Sequence, residues 1–193
     1  MISFLCAVIY GSTFLEFNEI LFPPKLASPN FWALIVAYYT AFAGWFGYRA
    51  MVRYRPYSDK LVSRIRALLE LISAINYLAL MYFASRVDES LAEYLWGFVV
   101  LFIIYIFMHF VCQLDVQRPE PIDLDIIYGL PLLAAAAAYG IWSLVFPPIP
   151  QAVSWLFIFV PLIIMVSYRL TMRAKRTWRP EYDERHLKMG RTA

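Results

Sequence analysis

Charge is scarce in this chain: Asp, Glu, Lys and Arg make up 16% of its 193 residues, where soluble domains carry about 25%. A surface wetted on every side cannot be covered by so few charged groups. Cysteine is scarcer still. Cys6 and Cys112 sit in separate apolar runs with no CxxC or Cys/His spacing, which excludes a disulfide scaffold and supports neither a redox motif nor a zinc site; both read as buried free thiols. Motifs that carry catalysis are missing as well. There is no GxSxG, HExxH, Gly-rich phosphate loop or aspartate-rich diphosphate motif, so no enzymatic activity is expected. Nucleic-acid binding is not expected either, because the basic residues line the ends of apolar segments and form no domain of their own.

What the chain has in abundance is apolar surface: 62% hydrophobic residues, 18% aromatic, and a mean hydropathy of +0.59. About one or two domains' worth of residues cannot bury that much in a soluble core. The composition predicts an all-α integral membrane protein. A hydrocarbon layer of about 30 Å needs about 20 apolar residues per helix, and six stretches qualify or nearly so, at roughly 2–22, 31–48, 67–85, 94–113, 126–146 and 152–172. Between them lie Pro23-Pro24, Ser28-Pro29-Asn30, the charged run Arg86 to Glu93, Arg118-Pro119-Glu120-Pro121 and Pro147-Pro148-Ile149-Pro150, which are helix breakers. Connections this short predict a single domain over 1–193 built of three antiparallel hairpins, with 173–193 as a basic tail. A cleaved signal peptide is the rival reading of the first stretch. The lack of a basic leading region, and Glu16 and Glu19 where a small-residue cleavage site would fall, favour a retained span.

The placement of the basic residues is strongly one-sided. Fifteen of the 17 fall in 49–66, at Arg118 or from Arg169 onward, leaving Lys25 and Arg86 on the other side. The positive-inside rule then puts both termini on the cytoplasmic or equivalent inner face. Arg49, Arg53, Arg55, Arg169, Arg173, Arg176 and Arg179 are the expected contacts to anionic headgroups or to partner subunits. The near three-residue spacing from Arg169 resembles a voltage-sensing helix, but these arginines follow the apolar run instead of lying within it, which favours an inner-surface anchor touching anionic lipid.

Arg-Pro occurs at 55–56, 118–119 and 179–180, with separations of 63 and 61 residues, each time after an even-numbered span. Trp32, Trp96 and Trp155 stand near the outer ends of those spans. A threefold repeat of two-helix units of about 62 residues is the expectation, set against the general habit of Trp, Arg and Pro to collect at membrane boundaries.

Ionisable groups inside spans are costly and are functional candidates by default. The candidate intramembrane polar site comprises Glu16, Glu19, Glu70 and His109, with Asn76 as the neutral member. Glu70 and His109 both lie about 5 Å inside the inner boundary by helical rise, either as a proton- or ligand-handling pair or as an interhelical clamp, with Arg66 one turn back as the rival partner for Glu70. Glu16 and Glu19 share a helix face near the outer end, as a cation-attracting mouth or as groups reaching headgroups. One intramembrane histidine cannot supply both axial ligands of a bis-histidine haem, and no cofactor is expected. Asp115, Glu120, Asp123 and Asp125 read as a solvated acidic turn.

The middle layer holds Ser12, Thr13, Thr40, Asn76 and Tyr77 but no acid or base, whereas transporters place their sites there. The leading expectation is therefore a non-catalytic subunit packing within a larger membrane complex, with other membrane subunits or copies of itself as partners. The alternative is a small oligomeric channel or transporter using Glu16 and Glu19 at one mouth and Glu70 with His109 at the other. Small residues at Ala7, Gly11 and Ala134 to Ala138 mark faces where another helix can approach closely.

Overall fold

The computed structural model describes residues 2–54, 61–116, 123–145 and 151–177. Every regular element among them is helical. They are α1 (Ile2–Glu16), α2 (Asn18–Leu21), α3 (Pro29–Tyr54), α4 (Leu61–Ala84), α5 (Val87–Val116), α6 (Asp123–Val145) and α7 (Gln151–Thr177). Backbone groups in a hydrocarbon layer find no water, so an apolar chain must satisfy them within its own segments, and helices do this locally. α1 and α2 are one run interrupted at Phe17 (φ −98°, ψ 15°), whose N–H still bonds to Thr13 O at 2.9 Å. Pro29 starts α3 at a position where the missing N–H costs nothing. Ser90 (φ −128°, ψ 37°) departs from helical geometry near the start of α5 and bonds through Oγ to Phe83 O and Arg86 O.

Leu61–Ala84, Val87–Val111 and Ser154–Thr171 are long and apolar enough to cross a membrane, and Ile126–Trp142 is a shorter apolar helix. This fits an integral membrane protein. α3 equals them in length, but Tyr38, Tyr39, Thr40, Gly44, Gly47 and Tyr48 dilute its apolar character. Several helices outrun the stretches expected from hydropathy. Arg49, Arg53, Arg64 and Arg66, expected in a loop, stand on the last turns of α3 and the first turns of α4. Hydropathy marks where a helix leaves the lipid; the helix itself stops only at a breaker.

Side-chain pairs fix the directions. Trp32 meets Phe159 with 5.8 Å between ring centroids, and Arg169 lies against Gly47, so α3 and α7 run parallel. Tyr38 bonds to Thr13 and Tyr10 to Ala41 O, so α1 opposes α3. Tyr128 meets Thr171 while Tyr139 meets Phe157, so α6 opposes α7. The turn at Ser85–Arg86 reverses the chain between α4 and α5, and Asn30 closes on Asp88 beside it at 3.0 Å. Arg49, Arg64, Arg66 and Arg169 consequently share one end of the bundle, the basic end. Lys25 and Arg86 occupy the far end.

α3, α5 and α7 touch one another, α4 packs on α3 and α5, and α6 packs on α5 and α7. A threefold arrangement would put α1 between α7 and α3. It packs instead on α4 and, through Tyr10 and Thr13, on the side of α3 away from α7. Leu34, Leu80, Met81, Tyr94, Leu95, Phe98, Leu101, Phe102, Leu132, Ile158 and Met165 are fully buried and belong to one core cluster that runs from the far end through the middle of the bundle.

Candidate functional site

The polar groups expected in the middle layer are bonded within the bundle. Thr13 Oγ donates to Ile9 O at 2.8 Å and accepts from Tyr38, and Thr40 Oγ donates to Val36 O at 2.8 Å. Asn76 Nδ2 reaches across from α4 to Gly97 O of α5 at 3.1 Å. Gly97 permits that approach, since a Cβ there would stand 2.6 Å from Leu80 Cδ2. Gly44 has the same role between α3 and α4, where a Cβ would fall into the hydroxyl end of Tyr77. These contact glycines were not singled out by sequence reasoning. The helical spacing of Gly44 and Gly47, three apart and hence close on one face, was the available signal. The small-residue faces that were singled out behave differently: Gly11 has open space where its Cβ would be, and of the Ala134 to Ala138 run only Ala136 is buried.

Toward the basic end, Glu70 pairs with Arg66 at 3.1 Å, both side chains 3% exposed on one face of α4. Two buried charges one helical turn apart compensate each other, which is the condition for keeping either away from water. His109 is half-buried on α5. Glu16 and Glu19 are both exposed on the flank of the bundle. Glu16 borders an open groove of about 380 Å³ between α1 and α4, whose other walls include Phe17, Ile75, Leu78, Tyr82 and Phe83.

The largest polar feature near the basic end is a chain of tyrosines. Tyr77 and Tyr105 share a hydrogen bond at 2.8 Å, Tyr105 stacks on Tyr168 with centroids 6.3 Å apart, and Tyr128 meets Tyr168 edge-on at 5.7 Å while bonding Thr171 at 2.7 Å. Arg169 adjoins them, with its guanidinium over the Tyr168 ring at 5.7 Å and against Gly47 of α3. Its Nε is buried without a hydrogen-bond partner, as are Trp45 Nε1 and the Tyr94 hydroxyl. Arg49, exposed on α3, lies over the Trp45 ring at 5.2 Å.

The side chains of Arg53, Arg173 and Arg176, and all of Arg55, Arg179 and the tail from 178, lie outside the described residues, as do the three Arg-Pro pairs. The same holds for the side chains of Cys6, Cys112, Asp115, Asp123 and Asp125, and for Glu120. Among the described residues no three His, Cys, Asp or Glu side chains converge as metal ligands would. Comparison with protein families, characterised proteins and solved structures finds no match to this chain.

Proposed function

We propose that this chain is a non-catalytic membrane subunit with six spans in three hairpins, both termini on the inner face, that packs within a larger membrane protein assembly. The observation that carries this reading is the packed interior: Leu34, Tyr94, Phe98, Phe102 and Met165, from α3, α5 and α7, are fully buried apolar and aromatic side chains of one core cluster. Such a bundle offers water no path along its axis, because interiors packed to this degree leave few voids of molecular size. The polar groups that a solute would need in the middle layer are engaged, Thr13 and Thr40 with helix carbonyls and Asn76 with Gly97. What remains outward is a set of apolar helix faces, such as Tyr39, Phe42 and Phe46 on α3 and Trp96, Val100, Ile103 and Phe107 on α5. Lipid or a neighbouring subunit covers these.

The test is copurification. Extraction of the tagged chain from native membranes in mild detergent, followed by mass spectrometry, is expected to return stoichiometric membrane partners. A lone monodisperse monomer opposes the proposal.

A second reading has one observation in its favour. Glu16 at the end of α1 and Glu19 on α2 are exposed, where they would line a pore between copies of the chain. Proteoliposomes decide it: a cation flux that Glu16→Gln abolishes supports a channel, and vesicles no leakier than empty ones dismiss it.

A further inference from the structure

Arg169 has no counter-charge among the described residues. It makes no hydrogen bond or ion pair with another described residue, its Nε is buried without a partner, and its guanidinium lies over the ring of Tyr168. Glu70, the buried carboxylate toward the same end of the bundle, is paired with Arg66. A guanidinium carries five donors in a planar fork suited to carboxylate or phosphate, and leaving its buried Nε donor unsatisfied at the edge of a hydrocarbon layer is costly. The side chain does not extend freely outward. It lies in a notch on α3 that exists because residue 47 is glycine, where a Cβ would come 2.9 Å from Nη1.

We infer that Arg169 seats one phosphate group in the cleft between α7 and α3, and that the phosphate belongs to an anionic phospholipid. Position selects the lipid over a soluble anion. By helical rise Arg169 sits about 5 Å inside the end of the expected span, between buried Tyr168 and exposed Leu170 on the helix that also exposes Ile163 toward the membrane. A soluble phosphate would have to be dehydrated to enter there. A phospholipid phosphate is already at the boundary, with its acyl chains alongside those apolar side chains. The inference rests on the membrane placement of the proposed function but not on the existence of partner subunits.

The test is native mass spectrometry of the full chain purified in mild detergent and supplied with phosphatidylglycerol or phosphatidylcholine. Wild type is expected to retain one phosphatidylglycerol per chain through delipidation, and Arg169→Gln to lower that retention about tenfold or more, the scale of a charge-assisted hydrogen-bonded pair. Arg169→Lys keeps the charge and loses the fork, so it falls between the two. Gly47→Ala leaves the arginine in place and crowds the notch, so it weakens retention even if Arg169→Gln fails to fold. Arg64→Gln, an exposed charge at the same end, leaves retention unchanged. Equal retention in wild type and Arg169→Gln, or a loss in Arg64→Gln as large as that in Arg169→Gln, overturns the seat. Displacement of the lipid by inorganic phosphate at comparable concentration overturns the lipid assignment. Membrane pelleting of the same variants separates these outcomes from a wrong membrane placement, which would leave the chain in the supernatant.

Discussion

The hairpin of α4 and α5 and the first helix are attached to the bundle in different ways. α4 and α5 touch at backbone distance: Leu80 lies over Gly97, Asn76 bonds to the Gly97 carbonyl, and α5 is so enclosed that Leu95, Phe98 and Leu101 are fully buried. α1 stands off α3, reached by long side chains, with Tyr10 bonding Ala41 O at 2.8 Å and Tyr38 bonding Thr13 at 3.1 Å. Its Val8, Gly11, Phe14 and Leu15 are exposed. Among lipid tails no hydrophobic force drives helices together, so close approach has to come from small residues and interhelical hydrogen bonds. The hairpin has both, and the described residues join α1 to α3 by the second alone. That difference explains how α1 can leave the place a threefold repeat would assign it.

The largest expected effect comes from emptying the enclosed helix. Phe98→Ala removes a fully buried ring that packs edge-on against Tyr94 at 5.1 Å, and thermal unfolding in detergent should show a loss of about 3–5 kcal/mol. Gly44→Ala forces a methyl into the Tyr77 hydroxyl end where α3 meets α4; about 1–3 kcal/mol is expected from overpacking, with loss of the Tyr77–Tyr105 bond visible as a change in tyrosine fluorescence. Asn76→Ala cuts the bond to Gly97, for a cost up to about 1.7 kcal/mol, whereas Tyr10→Phe cuts the α1 bond to Ala41 O for about 0.6 kcal/mol. Gly11→Ala should change stability by less than about 0.5 kcal/mol, since its Cβ enters open space. If Gly11→Ala proves as damaging as Gly44→Ala, α1 is more tightly held than its contacts indicate and the contrast fails.

The helical class and the breaks were legible because proline pairs and charged runs interrupt apolar stretches of near-spanning length, as at Ser28-Pro29 before α3 and Arg86 before α5. Helix ends were not legible at Arg49 and Arg64, where charge marks the water boundary while the helix continues. The Arg66 partner for Glu70 was legible from four-residue spacing, a property of one helix. The seat of Arg169 was not, because it depends on which face of α3 meets α7, and that is decided by the packing of all the helices together. An uninterrupted row of alanines suggested a packing face in α6. Contact is made instead by single glycines on α3 and α5, whose neighbours in sequence give no hint of what lies opposite.

Water access to the centre tests the sealed bundle most directly. With Cys6 and Cys112 replaced by Ala, single cysteines at Met81→Cys, Met165→Cys and Arg64→Cys report whether water reaches two fully buried positions and one exposed one, because a small methanethiosulfonate reagent modifies only a thiol that can ionise. The account predicts rapid modification at 64 and none at 81 or 165 in native membranes. Modification at 81 or 165 as fast as at 64 would contradict it and establish a water-filled path through the bundle.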